Sequence, residues 1–228
     1  MPRYLVIFAK EPRAGLVKTR LVPPLTGEEA AELYRAFLLD LTRRWASLPG
    51  VEKVLAYWPP EAGGRLQALV PSAFRLMPQQ GLHLAERMAR AFESVLRDEG
   101  DTMVLTNSDS PDLPEERLEQ AFTWLETRKA GVVIGPDTGG GYYLVAQCWT
   151  PEPRLFERVV MGNEHVLLAT LERCRELGVD VRLLEPYPDV DTPADLQGLA
   201  ARIREPGSGL REMLPETTAV LERQGWLP

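Results

Sequence analysis

Four cations cluster near the start of this 228-residue chain: Lys10, Arg13, Lys18 and Arg20. They follow an apolar run, Tyr4–Ala9, and Glu11 is the only acid among them, so the segment from Lys10 to Arg20 nets 4 − 1 = +3. The whole chain carries −7. A buried strand that ends in a cationic loop is suited to holding phosphate. Lys and Arg supply charge-assisted hydrogen bonds, and Gly15 lets the backbone approach an anion closely. Gly15-Leu16-Val17-Lys18-Thr19 resembles a Walker A loop but has no second glycine before the lysine. The expectation is phosphate capture by Lys10, Arg13, Lys18 and Arg20, with a plain solvated basic loop as the alternative.

The acidic candidates lie later. Asp109 stands just past a short apolar run, Met103–Thr106, within Asn107-Ser108-Asp109-Ser110-Pro111-Asp112. A carboxylate there can hold Mg²⁺ or Mn²⁺, which take oxygen ligands and often share them with substrate phosphates. The alternative is a helix cap before Pro114, and Asp112 is the better placed residue for that role. Asp189 and Asp191 are each candidates for a second carboxylate on the same ion. Thr192, Pro193 and Asp195 read instead as the start of a helix, with Asp195 structural. Gly139-Gly140-Gly141, with Asp137 just before, either lets a sugar or acceptor approach the backbone or forms a simple turn. Gln79, Gln80 and Gly81 either read a base edge or turn the chain. His83 and His165 have no cysteine or second histidine at ligand spacing, and no Ser/His/Asp pattern is present.

These loops need elements to position them. Strands are expected at Tyr4–Ala9, Lys53–Trp58, Phe74–Met77, Met103–Thr106, Val132–Ile134, Tyr142–Ala146 and Val181–Leu184. Thr26 and Glu29 fit a capping box. The helix they open repeats apolar residues at three- and four-residue steps, through Leu33, Tyr34, Phe37, Leu38, Leu41, Trp45 and Leu48. Leu84, Met88, Phe92 and Leu96 define a second buried helix face. Further helices are expected near residues 61–69, from Pro114 through Leu125, at 155–159 and 164–177, and from Thr192 on. This alternation predicts an α/β fold with a mainly parallel mixed sheet, in one domain over residues 1–204. Residues 205–228 read as a tail with a short helix at Glu216–Gln224. In open α/β sheets ligands bind beyond the carboxyl ends of the strands. That rule selects the loops just described.

Composition limits the partners. The acidic balance argues against a general nucleic-acid binder, and 44% hydrophobic residues suffice for a substantial core. No apolar run nears the ~18 residues of a membrane span, and none reads as a signal peptide. Cys148 and Cys174 give neither a disulfide framework nor a metal spacing. The cytoplasm is the expected compartment.

The motifs together resemble one family. They are FAKEPRAGLVKTRL at residues 8–21, Gln79-Gln80-Gly81 followed by Leu84-Ala85-Glu86-Arg87-Met88, Ser108-Asp109-Ser110-Pro111-Asp112-Leu113, Gly140-Gly141-Tyr142-Tyr143-Leu144, and Asp189-Val190-Asp191-Thr192-Pro193-Ala194-Asp195-Leu196. The likeness covers residues 3–203. The family is that of small bacterial glycosyltransferase-like proteins found beside radical-SAM and selenoprotein genes, formerly a domain of unknown function. It is similar to the GT-A, nucleotide-diphospho-sugar transferase fold, which is Rossmann-like. It is also distantly similar to the guanylyltransferase that acts on phospholactate in deazaflavin synthesis.

The resemblance implies a Mg²⁺- or Mn²⁺-dependent transferase that moves sugar from a nucleotide sugar to a small acceptor. Nucleotidyl transfer from an NTP to a phosphorylated small molecule is one alternative, and a non-catalytic nucleotide-binding protein another. Lys10, Arg13, Gly15, Lys18 and Arg20 then match the nucleotide-phosphate loop, with Gln80 and Gly81 near the base. Asp109 and Lys18 would be catalytic; Asp109, Asp191 and Asp189 would hold the metal. Gly139, Gly140, Gly141 and Asp137 would face the acceptor. This chain departs from the family pattern at Asn107 and Ser110, at Gly139 where an aspartate is usual, and at Met161 where a tryptophan is usual. Asp137 is the acid nearest to replace the one missing at Gly139.

Overall fold

The computed structural model describes residues 2–128 and 131–228. Strand β1 (Arg3–Lys10) sets the frame. Its side chains alternate between the sheet's two faces. Leu5, Ile7 and Ala9 enter one core with Leu38, Leu41 and Trp45 of α1 (Gly27–Ala46) and with Leu118, Phe122 and Leu125 of α4 (Glu115–Arg128). Val6 enters the other with Met88 and Phe92 of α3 (Leu84–Val95) and Cys174 of α5 (Val166–Leu177). Burial on both faces explains the apolar run: Leu5, Val6, Ile7 and Ala9 are buried, and the strand is covered on either side.

The other strands are β2 (Val51–Trp58), β3 (Phe74–Pro78), β4 (Thr102–Thr106), β5 (Val132–Pro136), β6 (Tyr142–Cys148) and β7 (Val181–Leu183). The short helix α2 (Gly63–Gln67) joins β2 to β3. The sheet order is β3-β2-β1-β4-β6-β5-β7. Only β6 runs antiparallel to its neighbours; the other pairings are parallel. The chain leaves β1 toward β2 and β3, and β4 returns on β1's other side. The loops after β1 and β4 therefore diverge and open a crevice between them, the switch point at which such sheets bind ligands.

Helix α1 carries the expected capping box: Thr26 Oγ1 accepts from the Glu29 N–H, and the Glu29 carboxylate accepts from the Thr26 N–H at 2.7 Å. Such a cap contributes about 1 kcal/mol. Helix α6 (Pro193–Arg204) has the same device in Thr192 and Asp195. Leu84 departs from its expected burial. It sits at the first turn of α3, 43% exposed, while Met88, Phe92 and Leu96 below it are buried.

The C-terminal segment, α7 (Leu210–Met213) and α8 (Pro215–Arg223), docks on α1 and α6. Leu214, Val220, Leu221 and Leu227 share a cluster with Leu33 and Phe37 of α1 and Leu196 of α6. Buried Asp40 on α1 accepts hydrogen bonds from the Glu216 and Thr217 N–H groups, at 3.1 and 2.8 Å. An acid from one helix thus satisfies the open N–H groups at the start of another.

Asp112 is not a helix cap. It is buried, and its Oδ2 accepts from Arg202 Nε of α6 at 2.8 Å. The turn before Pro114 points the carboxylate inward to that guanidinium, away from the N–H groups of α4. Among the described residues no helix is long and apolar enough to cross a membrane.

Candidate functional site

The crevice beyond β1 and β4 is a cleft of about 850 Å³. Lys18 forms its floor. The left-handed backbone of this residue (φ 47°, ψ 35°) leads into a single 3₁₀ turn, Thr19–Leu21. A non-glycine residue there costs roughly 1–3 kcal/mol and persists only where its surroundings hold it. Here they do. The Lys18 ammonium pairs with the Asp109 carboxylate and lies 3.1 Å from Asp191 Oδ1. The rings of Tyr34 and Phe37 pack beneath it at about 6 Å. Only 8% of Lys18 is exposed. Burial alone would lower its pKa, but the two aspartates outweigh burial and raise it, so the ammonium keeps its proton.

The aspartates come from distant parts of the chain. Asp109 follows β4, and its backbone carbonyl accepts from the Val190 N–H at 3.0 Å. Val190 is fully buried. Held by that anchor, Asp191 reaches Lys18 from the opposite side, and Arg20 Nη1 approaches its other oxygen at 3.4 Å. Asp195 accepts from the Asp191 N–H and so fixes the start of this loop.

A relay of hydroxyls ties the β1 and β4 loops together. The Lys10 N–H donates to the Tyr34 hydroxyl at 2.9 Å, Tyr34 donates to Ser108 Oγ at 2.6 Å, and Ser108 donates to the Phe8 carbonyl at 2.9 Å. Burial raises the Tyr34 pKa to about 12, so the phenol stays a donor. Helical spacing alone places Tyr34 in the core. The polar role follows only from the fold, because nothing in the sequence pairs it with Ser108.

The cleft gathers Lys10, Lys18, Arg20, Asp109, Asp189 and Asp191, with Asp137, Gly139 and Gly141 on the facing wall. It does not gather Arg13, Gly15, Gln80, Gly81 or Gly140. Arg13 points to solvent, 4.0 Å from Glu11. Gly15 turns the loop at φ +76°. A Cβ on Gly140 would meet the Glu164 carbonyl at 2.2 Å, so this glycine is needed for packing against backbone. Gly141 makes room for Asp137, whose Oδ1 accepts from the Gly139 and Gly141 N–H groups at 2.7 and 2.8 Å.

The wall is strongly acidic. Burial, then repulsion from Asp191 and Asp137, pushes the Asp189 carboxyl up to about 7. Among the described residues no three side chains with metal-binding groups converge closely enough to hold a metal by themselves. Two carboxylates joined by a single ammonium nonetheless match the donor set of Mg²⁺ or Mn²⁺, which bind through one or two protein carboxylates and complete their shell with substrate phosphates and water.

Known proteins share this architecture. A protein of Desulfovibrio desulfuricans, itself assigned only provisionally as a nucleotide-diphospho-sugar transferase, is 32% identical, with 98% of each chain aligned and a TM-score of 0.85. The 4-diphosphocytidyl-2C-methyl-D-erythritol synthase of Anaerococcus prevotii is 11% identical over 89% of this chain and 97% of its own, with a TM-score of 0.57. A cytidylyltransferase of Leptospira borgpetersenii is 11% identical over 99% and 95%, with a TM-score of 0.53. The fold is that of the nucleotide-diphospho-sugar transferases. No curated protein matches the sequence. One family model does, over residues 41–163, a span that includes β4 and the Asp109 loop as well as the glycine loop. On that match and the Desulfovibrio likeness, the chain belongs to the bacterial family DUF2064, described as uncharacterized proteins conserved in bacteria.

Proposed function

We propose that the protein is a divalent-metal-dependent transferase that uses a nucleotide donor and moves the sugar of a nucleotide sugar to a small acceptor. The observation that carries this reading is the meeting of Lys18 with Asp109 and Asp191 at the β1/β4 switch point, beside Lys10 and Arg20. Lys10 and Arg20 are exposed to the cleft. They can donate to the donor's phosphates and neutralise the charge that grows there as the nucleoside diphosphate leaves. Lys18 holds Asp109 and Asp191 in one orientation, so the site needs little rearrangement to receive its ligand. Asp109 and Asp191 would hold Mg²⁺ or Mn²⁺, with Asp189 beside them. A bound ion supplies Lewis-acid neutralisation of the departing phosphates. Asp137 and the backbone of Gly139 and Gly141 would face the acceptor.

The Desulfovibrio relative supports the glycosyl reading. A second reading, nucleotidyl transfer to a phosphorylated small molecule, is favoured by the two exposed cations beside the clamp, which suit a triphosphate. The two reactions differ in leaving group, nucleoside diphosphate against pyrophosphate. A thermal-shift screen of nucleotide sugars and NTPs, with and without Mg²⁺ or Mn²⁺, separates them. Stabilisation by nucleotide sugars that requires the metal is the expected result. Stabilisation by NTPs alone would replace it with nucleotidyl transfer, and no stabilisation by any nucleotide would overturn both.

A further inference from the structure

Lys18 is pinned by its neighbours in sequence. Val17 is buried against Ala31 and Tyr34 of α1. Leu21 is fully buried in the cluster of Leu33, Phe37 and Val190, and its N–H donates to the Lys18 carbonyl at 2.9 Å. Only 2% of the Lys18 side chain is exposed. With both flanks anchored and two rings beneath it, the ammonium can reach solvent only by breaking close packing.

Its charge is spent where it stands. Asp109 and Asp191 each give Oδ1 to the ammonium, and Asp191 gives Oδ2 to Arg20. The two carboxylates bring −2 and the two cations +2, so the group is formally neutral. Arg20 is 70% exposed, and water and salt screen its share. Lys18 is not screened in this way. Mg²⁺ and Mn²⁺ draw affinity from the charge of their ligands and give up water reluctantly. Two carboxylates already offset by a fixed ammonium offer a free ion little more than water does, and the ammonium repels it. A nucleoside diphosphate changes the balance, because its phosphates bring negative charge and ligand oxygens to the same place.

We propose that Lys18 is a built-in counter-cation that makes divalent-ion binding conditional on nucleotide: Asp109 and Asp191 take Mg²⁺ or Mn²⁺ only in company with the donor's phosphates. The inference rests on the metal–nucleotide reading above. Coupling between two ligands is reciprocal, so ion and nucleotide tighten each other's binding by the same factor. Without nucleotide the pair stays matched to Lys18 and the cleft does not collect free ions. Once the diphosphate leaves, Lys18 again balances the pair alone.

Mn²⁺ binding to nucleotide-free protein tests this, read by electron paramagnetic resonance of the free ion. Wild type, Lys18→Met and Lys18→Met/Asp109→Asn are compared. Lys18→Met should bind Mn²⁺ roughly tenfold or more tighter than wild type, and the double variant should lose that gain. In thermal melts Mn²⁺ should raise the Tm of Lys18→Met and leave nucleotide-free wild type unchanged. Lys18→Gln serves if Lys18→Met does not fold. Equal Mn²⁺ affinity in wild type and variant would overturn the proposal. So would a wild type saturated by about 0.1 mM Mn²⁺ without nucleotide, a result that needs no variant. Titration calorimetry of GDP, CDP, UDP and ADP with Mg²⁺ separates the two levels. Binding of any of them keeps the nucleotide reading even where the role of Lys18 fails, and absence of binding by every diphosphate would overturn both.

Discussion

The Val190 N–H donates to the Asp109 carbonyl at 3.0 Å, and this one backbone bond joins two loops 81 residues apart in sequence. It sets Asp191 opposite Asp109 with the Lys18 ammonium between them. The site's charge pattern is therefore a property of the fold, carried by the buried Val190 side chain as much as by the charged groups themselves.

Removing the central cation should be costly. In Lys18→Met the two aspartates face each other with only the exposed Arg20 guanidinium, 3.4 Å from Asp191, to offset them. Breaking a fully buried pair costs about 3–5 kcal/mol. Asp109 and Asp191 keep 33% and 39% of their side-chain surface exposed, so water can screen them. The expected loss is nearer 2 kcal/mol by urea unfolding at pH 7, together with weaker nucleotide binding. Unchanged stability would mean that the clamp does not hold the loops.

The hydroxyl relay should be measurable on its own. Tyr34→Phe keeps the ring but removes the donor to Ser108 and the acceptor for the Lys10 N–H. A loss of about 1 kcal/mol is expected, because the buried Tyr34–Ser108 bond is removed and a part-buried backbone donor loses its partner. Amide exchange at Lys10 should quicken. Exchange as slow as in the wild type would show that another group takes up the N–H.

Asp189 gives a pH signature. Its carboxyl titrates near 7 in the folded protein, above its ordinary value of 3.8. Between those values the folded state holds a proton that the unfolded state has released, so this group's contribution to stability falls as pH rises from about 4 to 7 and then levels off. Asp189→Asn should therefore gain stability over the wild type across that window, with the difference constant above it. Thermal melts at pH 4.5, 6 and 8 check this. A difference that shrinks with rising pH would contradict the sign.

The C-terminal helix should behave as part of the core. Asp40→Ala removes the acceptor for two N–H groups at the start of α8 and should cost about 1–2 kcal/mol, with α8 and α1 losing protection together in hydrogen exchange. Loss confined to α8 would mean that it frays independently.

Much of this was legible in the sequence, for identifiable reasons. β1 shows as an unbroken apolar run because both of its faces are covered. The caps at Thr26 and Thr192 show because their donors and acceptors lie three residues apart. The loops bearing Lys18, Asp109 and Asp191 show because topology assigns them to one end of the sheet. What was not legible depends on contacts between distant segments. Asp112 has the spacing of a cap, and only the nearness of Arg202 turns it inward. Glycine at 140 signals close approach, but not that the neighbour is the backbone of Glu164. Lys18 reads as a free phosphate ligand until Asp109 and Asp191 are seen on either side of it. Among Gln79, Gln80 and Gly81, sequence type cannot tell which residue faces the cleft; hydrogen bonds from its amide to the Ala9 and Ala56 carbonyls decide for Gln79.

The central claim is that the β1 and β4 loops form one metal–nucleotide site. Titration calorimetry of the preferred nucleoside diphosphate, with and without Mg²⁺, on wild type and Asp109→Asn tests it most directly. The account predicts that Mg²⁺ tightens wild-type binding roughly tenfold or more and that Asp109→Asn loses most of that gain while keeping the metal-free affinity. Equal affinity with and without the ion, or an undiminished metal effect in Asp109→Asn, would contradict it.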